Sequence, residues 1–323
     1  MFYSKKALVF CPKFFSYDIE IKKAIEKQGY TVELHDERPS TDLFVRALIR
    51  FGLNSLLKKK IENYYLNILD SINEVVDVLV IINPESITPY LLNKFRAKCK
   101  NIVIYMWDSF KNKPQAQKLI SHADSFYTFD FNDSQIFNIR FKPLFYSEAY
   151  NIDKLSNSAR YDLSFIGTVH SSRYEYVKKI SHGFNSYIFF YCPSFLVFFY
   201  KKYITREIKK VALKDVSFKS LKEDDVISVV VNSKCILDIS HPLQQGLTMR
   251  SIETLGAKRK LITTNKSIIN YDFFDENNIL VVDNTVTKNQ VDEFLQRKYK
   301  LLEAEIYNKY SVNYWVQDFL REN

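Results

Sequence analysis

The residues best spaced for chemistry lie in one segment, Cys235-Ile-Leu-Asp-Ile-Ser-His-Pro-Leu-Gln-Gln-Gly-Leu-Thr-Met-Arg-Ser-Ile-Glu-Thr-Leu-Gly-Ala-Lys258. A strand ends at Ser240, a polar loop with Gly246 follows, and a helix opens near Thr248 with Leu247, Ser251 and Leu255 on one face. Helix N-termini present free N–H groups and a partial positive charge, and so bind phosphate oxygens. Gly246 lets backbone approach such an anion, Thr248 adds a hydroxyl and Arg250 a cation. Glu253 follows about one and a half turns along the helix, close enough to accept hydrogen bonds from a ribose diol. The same residues also describe a plain N-cap with an exposed glutamate, so both readings stand here.

A second segment, Tyr161-Asp-Leu-Ser-Phe-Ile-Gly-Thr-Val-His-Ser-Ser-Arg173, puts a glycine at a strand's end and an arginine ahead of a helix. Such a turn favours anions, which makes Gly167, Thr168 and Arg173 candidate phosphate contacts. His170 is a weaker one, since a lone loop histidine is more often simply solvated. In the first half, Trp107 and Asp108 follow the buried run Asn101–Met106, Glu85 follows Ile81-Ile-Asn-Pro84, and Lys13 follows Val9-Phe-Cys-Pro12. An aromatic platform with carboxylates suits a polyhydroxylated ligand, with Lys13 and Trp107 candidates to bind it. A carboxylate could deprotonate its attacking hydroxyl, Asp108 first and Glu85 second. The alternative for Asp108 is a cap on the loop into the next helix.

Missing motifs restrict the chemistry. There is no Asp-x-Asp, HExxH, paired CxxC, P-loop or GxGxxG, so no metal ligand set and no resident cofactor are expected.

The elements that must position these residues alternate. Ala7–Cys11, Thr31–His35, Asp77–Ile82, Asn101–Met106 and Ser125–Phe129 read as strands, with helices over Asp18–Gln28, Pro89–Lys98 and Pro114–His122. Beyond a lapse between Lys142 and Ala159 the pattern resumes: strands at Asp162–Ile166, Tyr187–Cys192, Cys235–Ile239, Leu261–Thr264 and Ile279–Val282, and helices at Leu221–Asn232 and Thr248–Ala257. Lys288 to Leu320 is helical in pattern. A chain of 323 residues with 46% apolar residues, 6 Gly and 8 Pro is a folded protein, neither disordered nor collagenous. Two α/β domains follow, 1–150 and 151–323, with functional loops at the C-terminal ends of parallel strands.

The segment from Gly246 to Glu253 resembles the C-terminal domain of GT-B glycosyltransferases, in particular the CgeB-like type of bacterial capsule and lipopolysaccharide biosynthesis. Tyr161–Arg173 is similar to that domain's first strand and loop, and the Pro-x-Phe-Phe-x-Tyr loop with Asp36-Glu-Arg-Pro39 extends the likeness over nearly the whole chain. The resemblance implies two Rossmann-like doubly wound domains facing a cleft, with a final helix crossing back to the acceptor-binding N-terminal domain. It implies a metal-independent hexosyltransferase taking a hexose-type sugar from a nucleotide-sugar, a UDP-sugar first, to a glycan or lipid-linked glycan. Glu253 would hold the ribose and Gly246–Arg250 the pyrophosphate, with His241, Gln245 and Leu247 among the donor contacts. Many retaining members carry a glutamate where Gln245 stands, so inverting and retaining chemistry both stay open. A non-catalytic basic nucleotide- or nucleic-acid-binding protein, or a membrane-peripheral scaffold, is the alternative. No nucleic-acid motif supports the first of these.

Net charge is +9, from 46 basic and 37 acidic residues, and points to an anionic partner. Two aromatic and basic stretches, Leu43–Lys60 and Phe195–Lys210, could lie on an anionic membrane or be ordinary core faces with lysine rims. Cys11, Cys99, Cys192 and Cys235 lie far apart and read as reduced thiols. With no signal-peptide core and an apolar run, Tyr187–Tyr200, too short to span a bilayer, the expected location is cytoplasmic, at the inner face of the plasma membrane if the stretches bind lipid.

Overall fold

The computed structural model describes residues 4–40, 42, 45, 48–49, 54–151, 159–170, 172–240 and 246–321. Runs such as Val-Asp-Val-Leu-Val-Ile-Ile and Asn-Ile-Val-Ile-Tyr-Met do not alternate polar with apolar residues, as strands covered on both faces require. They form β3 (Val76–Ile82) and β4 (Cys99–Met106), whose central residues are fully buried. Together with β1 (Lys5–Phe10), β2 (Tyr30–His35), β5 (Ser125–Thr128) and β6 (Arg140–Phe141) they make a parallel sheet in the order β2-β1-β3-β4-β5-β6. A second parallel sheet, among the described residues, has the order β12-β11-β10-β7-β8-β9. Its strands are β7 (Tyr161–Thr168), β8 (Ser186–Tyr191), β9 (Val216–Ser217), β10 (Ser233–Asp238), β11 (Lys260–Thr263) and β12 (Ile279–Val281).

The chain divides into two units, Met1–Leu144 with Val312–Asn323, and Phe145–Ser311. Each sheet reverses its order of construction once, between β1 and β3 in the first unit and between β7 and β10 in the second. Loops leaving the two strands at such a reversal diverge to opposite faces, and a crevice opens at their C-terminal ends. The helix Val312–Arg321 belongs to the first unit: Trp315 lies edge-on to Tyr105 with ring centroids 4.6 Å apart, and its Nε1 donates to Pro143 O at 3.1 Å.

The helical pattern from Lys288 to Leu320 resolves into three helices, Lys288–Gln296, Ala304–Lys309 and Val312–Arg321. The break after Gln296 has a non-local cause. Asn278, 4% exposed, accepts from Lys300 N at 2.8 Å and donates to Lys300 O at 2.7 Å. Buried Lys260 meanwhile donates to the carbonyls of Phe294 and Arg297, and burial lowers its pKa to about 8. Pro114–His122 is a 3₁₀ helix, not an α-helix.

Of the stretch Leu43–Lys60, residues Leu43, Phe44, Arg46, Arg50 and Phe51 lie outside the described residues. Its end enters the helix Lys58–Ser71, which buries Ile61, Tyr65, Ile68 and Leu69 and leaves Lys58, Lys59 and Lys60 exposed. The four cysteines are buried and unbridged. Among the described residues no helix is long and apolar enough to cross a membrane.

Candidate functional site

In the second unit the reversal between β7 and β10 places the two sequence segments side by side, since the strands pair directly through Cys235 with Leu163 and Ile236 with Ser164. β10 ends at Asp238 and the helix Met249–Gly256 begins after its N-cap, Thr248. The cap is a three-way arrangement. Thr248 Oγ1 accepts from Ser251 N at 3.2 Å and donates to Asp238 Oδ2 at 2.6 Å, and Ser251 Oγ donates to the same oxygen at 2.6 Å. Asp238, 6% exposed, therefore ties the strand's end to the first turn of the helix. The Thr248 hydroxyl spends its proton inside the unit. From the residues just after β11, buried Asn265 donates to Gly246 O at 3.2 Å and Thr264 Oγ1 accepts from Ser240 N at 3.1 Å. His241 and Gln245 lie outside the described residues. Leu247 is buried.

Glu253 is 2% exposed, and its Oε2 lies 2.7 Å from Nη1 of Arg250, one turn earlier. The carboxylate is thus a member of a buried ion pair, neither a solvated side chain nor a lone acceptor. Arg250 also bonds the buried phenol of Tyr150, whose pKa is pushed up by burial first and then by the Glu253 charge. The last residue of the helix, Gly256, has room for no side chain: a Cβ there would stand 2.5 Å from Cγ of Tyr146, itself fully buried.

On the β7 side, Arg173 folds back over its own strand. Nη1 donates to Thr168 O at 3.2 Å, and the guanidinium sits 5.9 Å from the Phe165 ring centroid. Gly167 makes this possible, because a Cβ there would lie 2.8 Å from Phe165 Cζ and 3.3 Å from Arg173 Nη1. Burial lowers the Arg173 pKa, opposed by the negative charge of Asp238. Its Nε is buried with no hydrogen-bond partner among the described residues. His170 O accepts from Arg173 N at 3.2 Å and closes the turn. The edge thus gathers two arginines and a helix N-terminus beside two buried carboxylates. Asp238, Ser251, Asn265 and Tyr150 complete it and were not singled out from the sequence, although the first two stand inside the quoted segment.

No protein-family model and no curated protein matches the chain. Solved structures do. HepE of Anabaena in complex with UDP-glucose aligns with a TM-score of 0.60 at 12% identity, covering 98% of this chain and 100% of that one. A glycosyltransferase from Rickettsia africae aligns at 0.58 and 12%, covering 99% and 98%. The N-terminal domain of Candida albicans trehalose-6-phosphate phosphatase aligns at 0.59 and 10%, covering 99% and 96%. The chain has the GT-B fold. Its structural neighbours include glycosyltransferases, and the fold does not by itself fix the reaction.

In the first unit of this GT-B fold, Lys13, Glu85 and Asp108 follow the neighbouring strands β1, β3 and β4 and so share one sheet edge. Their surroundings differ. Asp108 Oδ1 accepts from Ser109 N at 3.0 Å and Asn112 Nδ2 at 2.8 Å, which caps its own turn. Glu85 Oε1 lies 2.9 Å from Lys113 Nζ, an ammonium that competes for the lone pairs a base would use. Trp107 packs edge-on to Tyr17 at 6.5 Å, and Tyr17 continues into Phe15 and Phe14, 42% and 55% exposed. These two phenylalanines belong to the aromatic face beside Trp107, and Phe15 holds a left-handed φ of 48°. Lys13 instead borders a cavity of about 550 Å³ with Asp18, Lys22, His35, Asp36 and Arg38, to which Glu85, Trp107 and Asp108 do not contribute. Among the described residues no group of three or more His, Cys, Asp or Glu side chains is placed to hold a metal ion.

A residue not singled out from the sequence underlies this edge. Glu37 is fully buried, and its Oε1 accepts from the backbone N–H of Glu85 at 2.8 Å, Ser86 at 2.6 Å and Ile87 at 3.1 Å. Its own carbonyl accepts from the hydroxyls of Tyr65 and Ser86 at 2.5 Å each. It joins the loop after β2 to the loop after β3. Burial, reinforced by the Glu85 charge, lifts its pKa to about 7, against the lowering effect of the three amides. Below pH ~4.5 the carboxyl is protonated in both folded and unfolded chains. Between there and pH ~7 the unfolded chain releases the proton and the folded one keeps it, so stability falls through that window and is level above it. Glu37→Gln keeps the acceptor oxygen and removes the titration. Its stability relative to wild type is expected to rise by about 3 kcal/mol from pH 4.5 to pH 8, measured by urea denaturation across pH. A difference independent of pH would refute this account of Glu37.

Proposed function

We propose that the chain is a glycosyltransferase that moves a hexose-type sugar from a nucleotide-sugar, a UDP-sugar first, to a glycan or lipid-linked glycan acceptor in bacterial surface polysaccharide biosynthesis. The observation that carries the reading is the capped start of Met249–Gly256 at the reversal of the second sheet, flanked by Arg173 and by the Arg250–Glu253 pair. Backbone N–H groups there would take the diphosphate, and the two arginines would balance the charge of the leaving group. Glu253 would turn one carboxylate edge to the ribose hydroxyls, with Arg250 holding its orientation. Gly167, Thr168 and His170 would border the phosphates from the β7 side, with His241, Gln245, Gly246 and Leu247 in the loop. Asp108 or Glu85 would accept the proton of the acceptor hydroxyl, with Trp107 and Lys13 binding the acceptor. No metal and no resident cofactor enter this scheme. The support from relatives is that HepE, a structural neighbour, was solved with UDP-glucose and with UDP and glucose. The CgeB-like subtype and the cytoplasmic location rest on the sequence alone.

The test is a thermal-shift series with UDP, GDP, CMP and TDP. A nucleotide present at about a hundred times its Kd stabilises the native state by about 2.7 kcal/mol, so UDP is expected to raise Tm by degrees while the others leave it near its starting value. A shift with none of the four, at millimolar concentrations, would remove the nucleotide-sugar reading.

A further inference from the structure

The segment 195–219 presents an apolar stripe on the side of a helix that faces away from the core. The helix Phe195–Phe199 starts on Ser194, whose Oγ accepts from Val197 N at 3.2 Å, and runs on as π-turns over Tyr200–Ile204. Phe198, 3% exposed, enters the core of the second unit, and Ile208 and Val211 close the segment against it. On the other side Leu196, Phe199, Tyr200, Tyr203 and Ile204 stand at the i, i+3, i+4, i+7 and i+8 positions of one helical face. They are 78%, 48%, 55%, 57% and 64% exposed. Of the twenty large hydrophobic side chains exposed among the described residues, eight fall between Phe195 and Phe218. Scattered exposed apolar residues are ordinary, whereas a cluster marks an interaction surface.

Charge accompanies the stripe. Residues 195–219 hold seven basic side chains against two acidic ones, a net +5 within a chain whose total is +9. Arg206, Lys209 and Lys210 are exposed, while Lys202 is drawn in, donating to Val211 O and lying over the Phe198 and Tyr203 rings. An anionic partner with an apolar interior meets both features. The most exposed members of the stripe, Leu196 and Ile204, are aliphatic and offer no ring for base stacking, which favours lipid over single-stranded nucleic acid. The helical part is ten residues long, roughly 15 Å, a length that lies in an interface and does not span it.

We infer that residues 195–219 are a docking surface for an anionic lipid bilayer. Leu196, Phe199 and Ile204 enter the boundary between headgroups and acyl chains, Tyr200 and Tyr203 lie at headgroup level, and Arg206, Lys209 and Lys210 meet the lipid phosphates. The inference is independent of the proposed reaction, because none of these side chains belongs to the β7–β10 site. Co-sedimentation of the full chain with vesicles tests it. Binding is expected to phosphatidylcholine vesicles containing about 30 mol% phosphatidylglycerol, and weaker binding to phosphatidylcholine alone or in 0.5–1 M salt, roughly where screening is complete. The double variant L196S/I204S is expected to lower the partition coefficient by about tenfold or more. Both positions are exposed, and an unchanged melting temperature confirms that the variant is folded. R206Q/K209Q/K210Q is expected to abolish the preference for anionic vesicles. No binding to anionic vesicles, or binding that both variants retain, overturns the inference. So does retention of mixed-sequence single-stranded DNA by a chain that ignores vesicles.

Discussion

Asp238→Ala is expected to lower the stability of the second unit by about 3 kcal/mol, and Asp238→Asn by about 1 kcal/mol. One carboxylate oxygen of Asp238 accepts from two hydroxyls, Thr248 and Ser251, at 2.6 Å each, in surroundings that leave Asp238 6% exposed. A hydrogen bond to a charged acceptor contributes about 1.5–3 kcal/mol, and a buried hydroxyl left without its acceptor costs about 1–3 kcal/mol. Removing the carboxylate also removes its own desolvation cost, which holds the net loss near the lower end of that sum. Ser251 is 1% exposed, so water does not replace the lost acceptor. The cap survives in part, because Thr248 Oγ1 still accepts from Ser251 N. Asparagine presents one amide oxygen where both hydroxyls converge, hence the smaller loss. Urea denaturation followed by far-UV circular dichroism reads both variants. An alanine variant as stable as wild type would mean that the carboxylate does not hold the helix start.

On the proposed nucleotide-sugar reading, Glu253→Ala is expected to weaken UDP binding at least a hundredfold, and Glu253→Gln by about tenfold. Two hydrogen bonds from ribose hydroxyls to a carboxylate, at about 1.5 kcal/mol each, amount to about 3 kcal/mol, or more than a hundredfold in Kd. The amide keeps an acceptor oxygen for the ribose and for the Arg250 guanidinium but gives up the charge. Alanine carries a second cost, since the half-buried Arg250 loses its partner; such a break costs about 3–5 kcal/mol for a fully buried pair and less here, where the Arg250 side chain is 17% exposed. The glutamine variant separates the two effects. Calorimetry on that variant, shown to be folded by its melting temperature, should give weaker UDP binding with little loss of stability. If instead it binds UDP as wild type does, Glu253 serves only to position Arg250.

The strands were the most legible part of the chain, because β3, β4 and β10 each contain a short apolar run and β7 alternates as Leu-Ser-Phe-Ile, patterns that depend on their own residues. Two such series separated by a lapse in periodicity point to two α/β domains, and the resemblance of 246–253 and 161–173 implied their GT-B type. Less legible was whatever depends on a partner distant in sequence. The break after Gln296 comes from Asn278 and Lys260, side chains that a pass along the tail has no means to connect with it. Glu37 reads as one charged residue among Asp36, Glu37 and Arg38 until folding brings three amides from residues 85–87 onto it. The segment 240–258 lies between these cases. Thr248 as the start of a helix was visible in the local pattern, whereas the enclosure of Glu253 with Arg250 and Tyr150 depends on a turn about a hundred residues earlier.

The assignment of Val312–Arg321 to the first unit also fixes an order of events during synthesis. Every residue of the second unit, Phe145 to Ser311, has been made before the helix that carries Trp315 exists. Until then Tyr105 and the Pro143 carbonyl lack the indole they meet in the finished protein. The unit begun first is therefore the last whose residues are complete. Both tryptophans, Trp107 and Trp315, lie in that unit, so tryptophan fluorescence selectively excited in a refolding chain follows its closure and not that of the other domain.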